Sequence, residues 1–356
     1  MTGLTSRERI RRTLEGRLPD RIAMVDICFW PETVERWHQE GLPQDESPAE
    51  HFGLDAISTA GLDCSLRLEV EVLEECDEWK IERDSNGTVH KHWKTRTATP
   101  CEIDNLIKSR DDWLSCRDRL EPTADRIPQD ATKLLDSAHS ESRFCTLDPC
   151  EPVWWTLRTL GMERALVTLA TDPAWFEEMV AAQTELSLEL CRMMIAQGPK
   201  PDGVWFFSDL CYRNGMLFSP ALYRSMMLPY HRRFADLCHA NDMFLLLHCC
   251  GDVRQLVPHL IDAGFDAIQP LEARAGNDVR QLKPLYGDRI TLFGNMDMDV
   301  YATGDLDAVR HEVLSKLEAA MPGGRYIYHS DHSVPPTVSF ATYSYAHELL
   351  CEYGRY

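Results

Sequence analysis

In the stretch MFLLLHCCGD, Met243 to Asp252, five apolar residues run straight into His248, Cys249, Cys250, Gly251 and Asp252. On a strand, side chains two residues apart point the same way, so His248 and Cys250 share one face while Cys249 points to the other. Imidazole nitrogen and thiolate sulfur are zinc donors, and a catalytic zinc site holds three protein ligands with a fourth position open to water or substrate. A third donor must then come from elsewhere in the chain. The opposing reading is that a buried strand cysteine acts as a small hydrophobe, and the pair alone does not choose between the two.

The last apolar run, in RYIYHSDHSVPP, offers His329, Asp331 and His332 within four residues. Against a role in chemistry, Asp331 or Ser330 would cap whatever follows. Other apolar runs end in the same manner, at Asp148, Asp209, Glu272 and Asn295. Asp209 is a candidate general acid or base, or an anchor for a substrate hydrogen bond. Its alternative is an ion pair with Arg213 four residues on. Glu272 faces metal or substrate, or is neutralised by Arg274. The sequence contains no G-x-S-x-G elbow, no G-x-x-x-x-G-K-[ST] phosphate loop and no G-x-G-x-x-G fingerprint, which argues against a hydrolase triad and a nucleotide fold.

The elements that would position these residues follow from periodicity. TSRERIRRTLEGRLPDR predicts a short first helix, capped at Thr5 or Ser6 and ended by Gly16 and Pro19. RIAMVDICFW then reads as a first strand and PETVERWHQEG as a helix. LRLEVEVLEE and EWKIERDSNGTVHKHWKTRT alternate apolar and charged residues around Asn86-Gly87, a hairpin signal. This places an inserted antiparallel hairpin near residues 63–98. Beyond residue 140, RFCTLDP, GVWFFSDL, MFLLLHCC, DAIQPLE, ITLFGNMD and YIYHSDH alternate with helical stretches, the βαβα rhythm of a parallel sheet. The expectation is an α/β fold, a (β/α)8 TIM barrel forming a single domain over residues 1–356. In such a barrel all strand C-termini open onto one face, where the polar ends would converge.

The 356 residues are 44% hydrophobic, enough for a large core, and carry a formal net charge of −20. That charge repels nucleic-acid phosphates and anionic membranes. No window reaches the ~18 uninterrupted apolar residues of a spanning helix, and MTGLTSRERIRRTLEGRLPD lacks the apolar core of a signal peptide. A soluble cytoplasmic protein is expected. Thirteen cysteines, an odd number over a long chain, fit reduced thiols with a few at a metal better than a disulfide scaffold.

Taken together, these residues resemble the uroporphyrinogen decarboxylase superfamily of (β/α)8 barrels, which also includes zinc-dependent corrinoid methyltransferases. The likeness runs over nearly the whole chain, from TSRERIRRTLEGRLPDRIAM through PVWWTLRTLGMERALVTLATDPAWFEEMV and DGVWFFSDLCYRNGMLFSPALYRSMMLPYHRRF. Its most specific portion is HCCGDVRQLVPHLIDAGFDAIQPLEARAGNDVRQLKPLYGDRITLFGNMD. True decarboxylases of the family carry an Arg-Gln-Ala-Gly-Arg-Tyr segment after the first strand, whose arginines hold the tetrapyrrole carboxylates. Here DICFWPETVERW stands in that place and removes the cationic partners such a substrate needs. The resemblance is therefore closer to the methyltransferase branch.

That branch holds zinc with a His-x-Cys pair and a cysteine near the end of the last strand. His248 and Cys250 match the pair, and His332 falls where the third ligand would stand, with Asp331 as the other candidate. Exchanging thiolate for imidazole there would make the zinc a stronger Lewis acid and a poorer activator of a bound nucleophile. The resemblance implies a small-molecule substrate and a corrinoid (cobalamin) on a separate partner protein. Either a zinc-bound thiol takes a methyl group from the corrinoid, or zinc polarises a methylated substrate so that the corrinoid removes the methyl. The His332 assignment favours the second. Asp209, Glu272 and Asn295 would orient substrate together with His329 and Asp331, while Trp30 and Tyr212 supply apolar walls. The alternatives are a tetrapyrrole decarboxylase and a non-catalytic metal- or tetrapyrrole-binding barrel; a homodimer is left open.

Overall fold

The computed structural model describes residues 3–356; Met1 and Thr2, which open the stretch read above for a signal peptide, lie outside the described residues. The chain divides into two compact units, one of residues 1–60, 133–146 and 201–356, the other of residues 61–132 and 147–200.

The first unit is built on helix α1 (Ser6–Leu14) and a parallel sheet. A capping box starts α1: Thr5 Oγ1 accepts the Glu8 N–H at 3.2 Å, and Glu8 Oε2 accepts the Thr5 N–H at 2.9 Å. Ile10 and Leu14, four residues apart, are both buried. After β1 (Ala23–Met24), α2 (Pro31–Glu40) and β2 (Ile57–Gly61), a four-stranded antiparallel sheet follows in the second unit: β3 (Glu71–Glu75), β4 (Trp79–Arg83), β5 (Thr88–Trp93) and β6 (Cys101–Asn105). Next come β7 (Phe144–Asp148), β8 (Gly203–Phe207), the short hairpin β9 (Cys211–Tyr212) and β10 (Gly215–Met216), β11 (Phe244–His248), β12 (Ala267–Gln269), β13 (Thr291–Phe293) and β14 (Tyr326–Tyr328).

Eight strands form one sheet in the order β1-β14-β13-β12-β11-β8-β7-β2. Neighbours such as β8, β11 and β12 pair in parallel. The order follows the chain from β2 onward and returns to β1 at the far edge, as in a TIM-barrel-like α/β fold. At the β1/β2 seam, the Asp55 N–H donates to the Met24 carbonyl at 2.6 Å, and the Met24 N–H donates to the Asp55 carboxylate at 2.9 Å. The core of this unit gathers Ile10, Val25, Phe144, Trp205, Phe244, Leu246, Phe293 and Ile327. Phe244 and Leu246 share the parity of His248, which puts the His248 side chain on the core-facing side of β11 at its C-terminal end. Leu245, Leu247 and Cys249 have the other parity, and each is fully buried.

In the second unit, Asn86 and Gly87 lie between β4 and β5, with Gly87 at φ +82°. The sheet is larger than a hairpin and reaches Asn105, because the segment after Pro100 adds an edge strand, β6, against β5. Charged residues and exposure along β3 and β6 blunt both edges. Lys91 stacks between two indoles, 4.1 Å from the Trp79 ring and 4.8 Å from the Trp93 ring. Among the described residues no helix is long and apolar enough to cross a membrane, and all thirteen cysteines are free thiols.

Candidate metal centre

Strand register decides what stands beside His248. Phe207, the last residue of β8, pairs with His248, and the Ser208 N–H donates to the His248 carbonyl at 3.0 Å. Asp209 therefore leaves β8 next to the residue pair beyond His248, and its Oδ1 accepts the Cys250 N–H at 2.9 Å. One carboxylate oxygen of Asp209, one ring nitrogen of His248 and the Cys250 sulfur all lie within 4.8 Å of one another. Cys250 Sγ is 3.4 Å from His248 Nε2. The other ring nitrogen, Nδ1, is 2.6 Å from Gln269 Oε1 on the adjacent strand β12.

Burial pushes the Cys250 thiol well above its ordinary range, and the negative charges of Asp209, Glu272 and Asp331 push it further. Burial likewise lowers the pKa of His248 and favours the neutral ring. A neutral imidazole is a competent ligand, and a thiol that resists ionisation beside carboxylates is relieved by a divalent cation. One oxygen, one nitrogen and one sulfur within reach of a common point fit zinc.

His332, the expected third ligand, is not part of this donor group among the described residues, whereas Asp209 is. His332 is exposed and instead lines a cavity of about 100 Å³ with Ile27, Cys28, His248, Gln269 and His329. Asp331 is buried and spent on backbone: its Oδ2 accepts the Ala273 N–H at 3.1 Å, and its Oδ1 accepts the Met298 N–H at 3.0 Å. Burial raises its pKa.

Asn295 is corrected in the same sense. It is fully buried, donates to the carbonyls of Leu271 at 2.6 Å and Asn277 at 3.0 Å, and accepts the Val279 N–H at 2.9 Å. Both amide hydrogens and the oxygen thus tie loops together. Glu272 Oε2 accepts the Gly251 N–H at 2.9 Å and so fixes the turn after Cys250. Arg274 pairs with Asp299 at 3.2 Å.

Tyr212 is half exposed and contributes through its backbone. Its carbonyl accepts the Asp252 N–H at 2.9 Å. It also packs so closely on Gly251 that a Cβ there would meet it at 2.6 Å, at a φ of +86°. Trp30 opens α2, with its N–H on the Val334 carbonyl at 3.3 Å. Neither aromatic residue lines the cavity.

His329 is buried; its Nε2 receives the Ile27 N–H at 3.3 Å and lies 3.3 Å from Gln269 Nε2. Gln269 and Asp26 are the residues that reading the sequence for strand-end chemistry did not assign. Asp26 accepts from the Ser330 N–H at 2.7 Å and the Tyr343 hydroxyl at 2.5 Å, and so anchors the segment that carries His329. Gln269 ends an apolar run just as Asp209 and His248 do. That signal was present but was passed to Glu272, three residues on.

In the second unit, Asp148 is partly buried at the end of β7 and accepts the Cys150 N–H at 3.0 Å. Burial raises its pKa to about 6, against about 4 for an unfolded aspartate. Folding therefore favours the protonated acid, and the ionised carboxylate costs stability above pH 6. That cost fades as pH falls toward 4. Asp148→Asn is expected to stabilise the protein at pH 7.5 by about 1–2 kcal/mol, with allowance for partial exposure. The gain should vanish in denaturant titrations at pH 4; an equal gain at both pH values would refute the assignment.

Residues 157–353 match the family profile described as Uroporphyrinogen decarboxylase (URO-D). A methylated-thiol–coenzyme M methyltransferase from Methanosarcina mazei is 28% identical over 106 residues, which is 30% of this chain and 27% of that relative. The match thus spans little more than a quarter of the relative's length. A solved structure, a methyltransferase from Methanosarcina mazei, superposes with a TM-score of 0.66 over 98% of this chain and 99% of that one. At 15% identity this last likeness speaks for the fold. With more than half its length matched by the profile, and with the parallel strand order in agreement, the chain belongs to the uroporphyrinogen decarboxylase family.

Proposed function

We propose that the protein is a zinc-dependent methyltransferase that moves a methyl group between a small substrate and a corrinoid carried on a separate protein. The observation that carries this reading is the convergence of Asp209, His248 and Cys250 within 4.8 Å at the C-terminal ends of β8 and β11. In this reading His248, Cys250 and Asp209 hold the ion, which leaves one position of a tetrahedral set for substrate. Two anionic donors and one neutral imidazole balance a divalent cation, whereas a His248–Cys250–His332 set would leave it positive. The electron-rich set favours thiol activation, so the direction proposed is transfer to a small thiol. Bound zinc would lower the pKa of that thiol, and the corrinoid would supply the methyl group.

The chain's own residues do the positioning. The Cys250 N–H fixes the Asp209 carboxylate, and Glu272 fixes the turn at Gly251. His332 faces substrate from across the cavity. That cavity, about 100 Å³, lies below the ~300 Å³ at which pockets for drug-sized ligands begin. It has no lysine or arginine among its described lining residues, which offers no countercharge to a tetrapyrrole with eight carboxylates. The relative named for methylated-thiol transfer supports sulfur chemistry at this site.

The test is methyl transfer from methylcobalamin to small thiols, followed by the loss of its visible absorbance, beside incubation with uroporphyrinogen. Transfer without loss of carboxylates is the expected outcome. Decarboxylation without transfer would replace the reading, and neither activity together with tight zinc would leave a binding barrel. His332→Ala should keep its zinc while Asp209→Ala loses it; the reverse pattern would restore His332 as the third ligand.

A further inference from the structure

The Gln269 side chain lies between the imidazoles of His248 and His329, and backbone groups determine which way round it sits. Gln269 and His329 are 2% and 1% exposed, so their polar atoms must find partners within the protein. His329 Nδ1 faces the Ser330 carbonyl, which only accepts, so Nδ1 carries the proton. His329 Nε2 faces the Ile27 N–H at 3.3 Å, which only donates, so Nε2 is the acceptor. Two main-chain groups thus fix the same tautomer independently.

The consequence passes along β12. An accepting His329 Nε2 requires the NH2 end of Gln269, 3.3 Å away. The Gln269 oxygen must then face His248 Nδ1 at 2.6 Å, and an oxygen there requires a proton on Nδ1. The lone pair of His248 is left on Nε2, the nitrogen 3.4 Å from Cys250 Sγ. Turning the amide round would set its oxygen against an accepting His329 nitrogen. It would also force a proton onto His248 Nε2, aimed at the sulfur.

We propose that Gln269 is a positioning residue that transmits the fixed tautomer of His329 to His248, so that His248 presents an unprotonated Nε2 to a metal shared with Cys250 and Asp209. The proposal rests on the metal reading above for its purpose, but its first observable does not need the metal. Ligating histidines are oriented and made more basic by the partner of their second nitrogen, and loss of such a partner costs about 10–100-fold in metal affinity.

The experiment uses the full-length protein labelled with 15N-histidine and stripped of metal, together with zinc alone as probe. Long-range 1H–15N spectra should show His248 and His329 of the wild type both in the Nδ1–H form. In Gln269→Met, similar in volume but without the amide, His329 should keep its tautomer through Ile27 and Ser330, while His248 becomes a mixture. Zinc affinity, read by competition with a chromophoric chelator, should fall about 10–100-fold with unchanged circular dichroism. Gln269→Glu keeps an oxygen toward His248 but sets its second oxygen against the accepting Nε2 of His329, so His248 should stay in the Nδ1–H form while His329 takes up a second proton.

A wild-type His248 protonated on Nε2 would overturn the proposal, as would a Gln269→Met protein that binds zinc like wild type. If Gln269→Met does not fold, the wild-type tautomers and Gln269→Glu decide. Correct tautomers in a wild type that binds no zinc would leave the Gln269 relay standing and remove the metal reading instead.

Discussion

Cys250→Ser and His248→Ala are each expected to strip the protein of zinc and to reduce methyl transfer to the background rate. Loss of an outer-shell partner costs about 10–100-fold in metal affinity, and loss of one of three direct donors must cost more. The serine hydroxyl is a far weaker donor than thiolate and does not ionise near neutral pH. Alanine at position 248 removes the ring that Gln269 holds against Cys250. Folding should survive both changes, because each residue sits at the end of β11, partly exposed, above the packed layer of Phe244 and Leu246. Metal analysis by mass spectrometry and the methylcobalamin assay read the two effects, and circular dichroism controls for the fold. Zinc retained at wild-type level in both variants would place the metal elsewhere.

Asp55→Ala should produce the largest loss of stability away from the metal centre. The Asp55 carboxylate is 1% exposed and binds Arg9 Nη1 at 2.5 Å and Arg21 Nη1 at 2.8 Å. It also accepts the Met24 N–H at 2.9 Å and the Ser6 hydroxyl at 3.2 Å. It therefore ties α1, β1 and the approach to β2 together at the sheet seam. Arg9 is itself only 7% exposed; it keeps Asp20 at 2.8 Å, but removing the Asp55 carboxylate takes the partner from its Nη1, from Arg21 Nη1 and from the Met24 N–H together. Breaking a buried pair from one side costs about 3–5 kcal/mol. Urea unfolding should show that loss, and Arg9→Met in the Asp55→Ala background should add to it, because Asp20 then loses its guanidinium partner as well. A single-mutant loss below about 1 kcal/mol would show that solvent reaches Arg9 and compensates.

Local pattern made much of this molecule legible in advance. Apolar runs gave β7, β8, β11, β12, β13 and β14, and two-residue parity placed His248 and Cys250 together with Cys249 behind them. The Asn86-Gly87 turn marked where β4 meets β5. Besides the two-residue strands β9 and β10, two strands escaped. β2, Ile57–Gly61, reads ISTAG, too short and too small in its side chains to stand out as an apolar run. β6 follows Pro100 and is mostly exposed, so neither alternation nor burial marks it.

The candidate centre divides along the same line. Sequence by itself determined the family, the polar residues at the strand ends, and the His248–Cys250 pair, because parity along one strand depends only on backbone geometry within a few residues. Which residue stands beside that pair depended on the register of β8 against β11, where His248 pairs with Phe207 and Asp209 is brought to Cys250. The orientation of Gln269 depended on main-chain groups at Ile27 and Ser330, some 240 and 60 residues away in sequence. The same long-range packing buried Asn295 and Asp331 and gave them backbone partners. Parity is written into the covalent chain, whereas register and hydrogen-bond satisfaction arise only when distant strands are laid side by side, and the tertiary structure alone decided them.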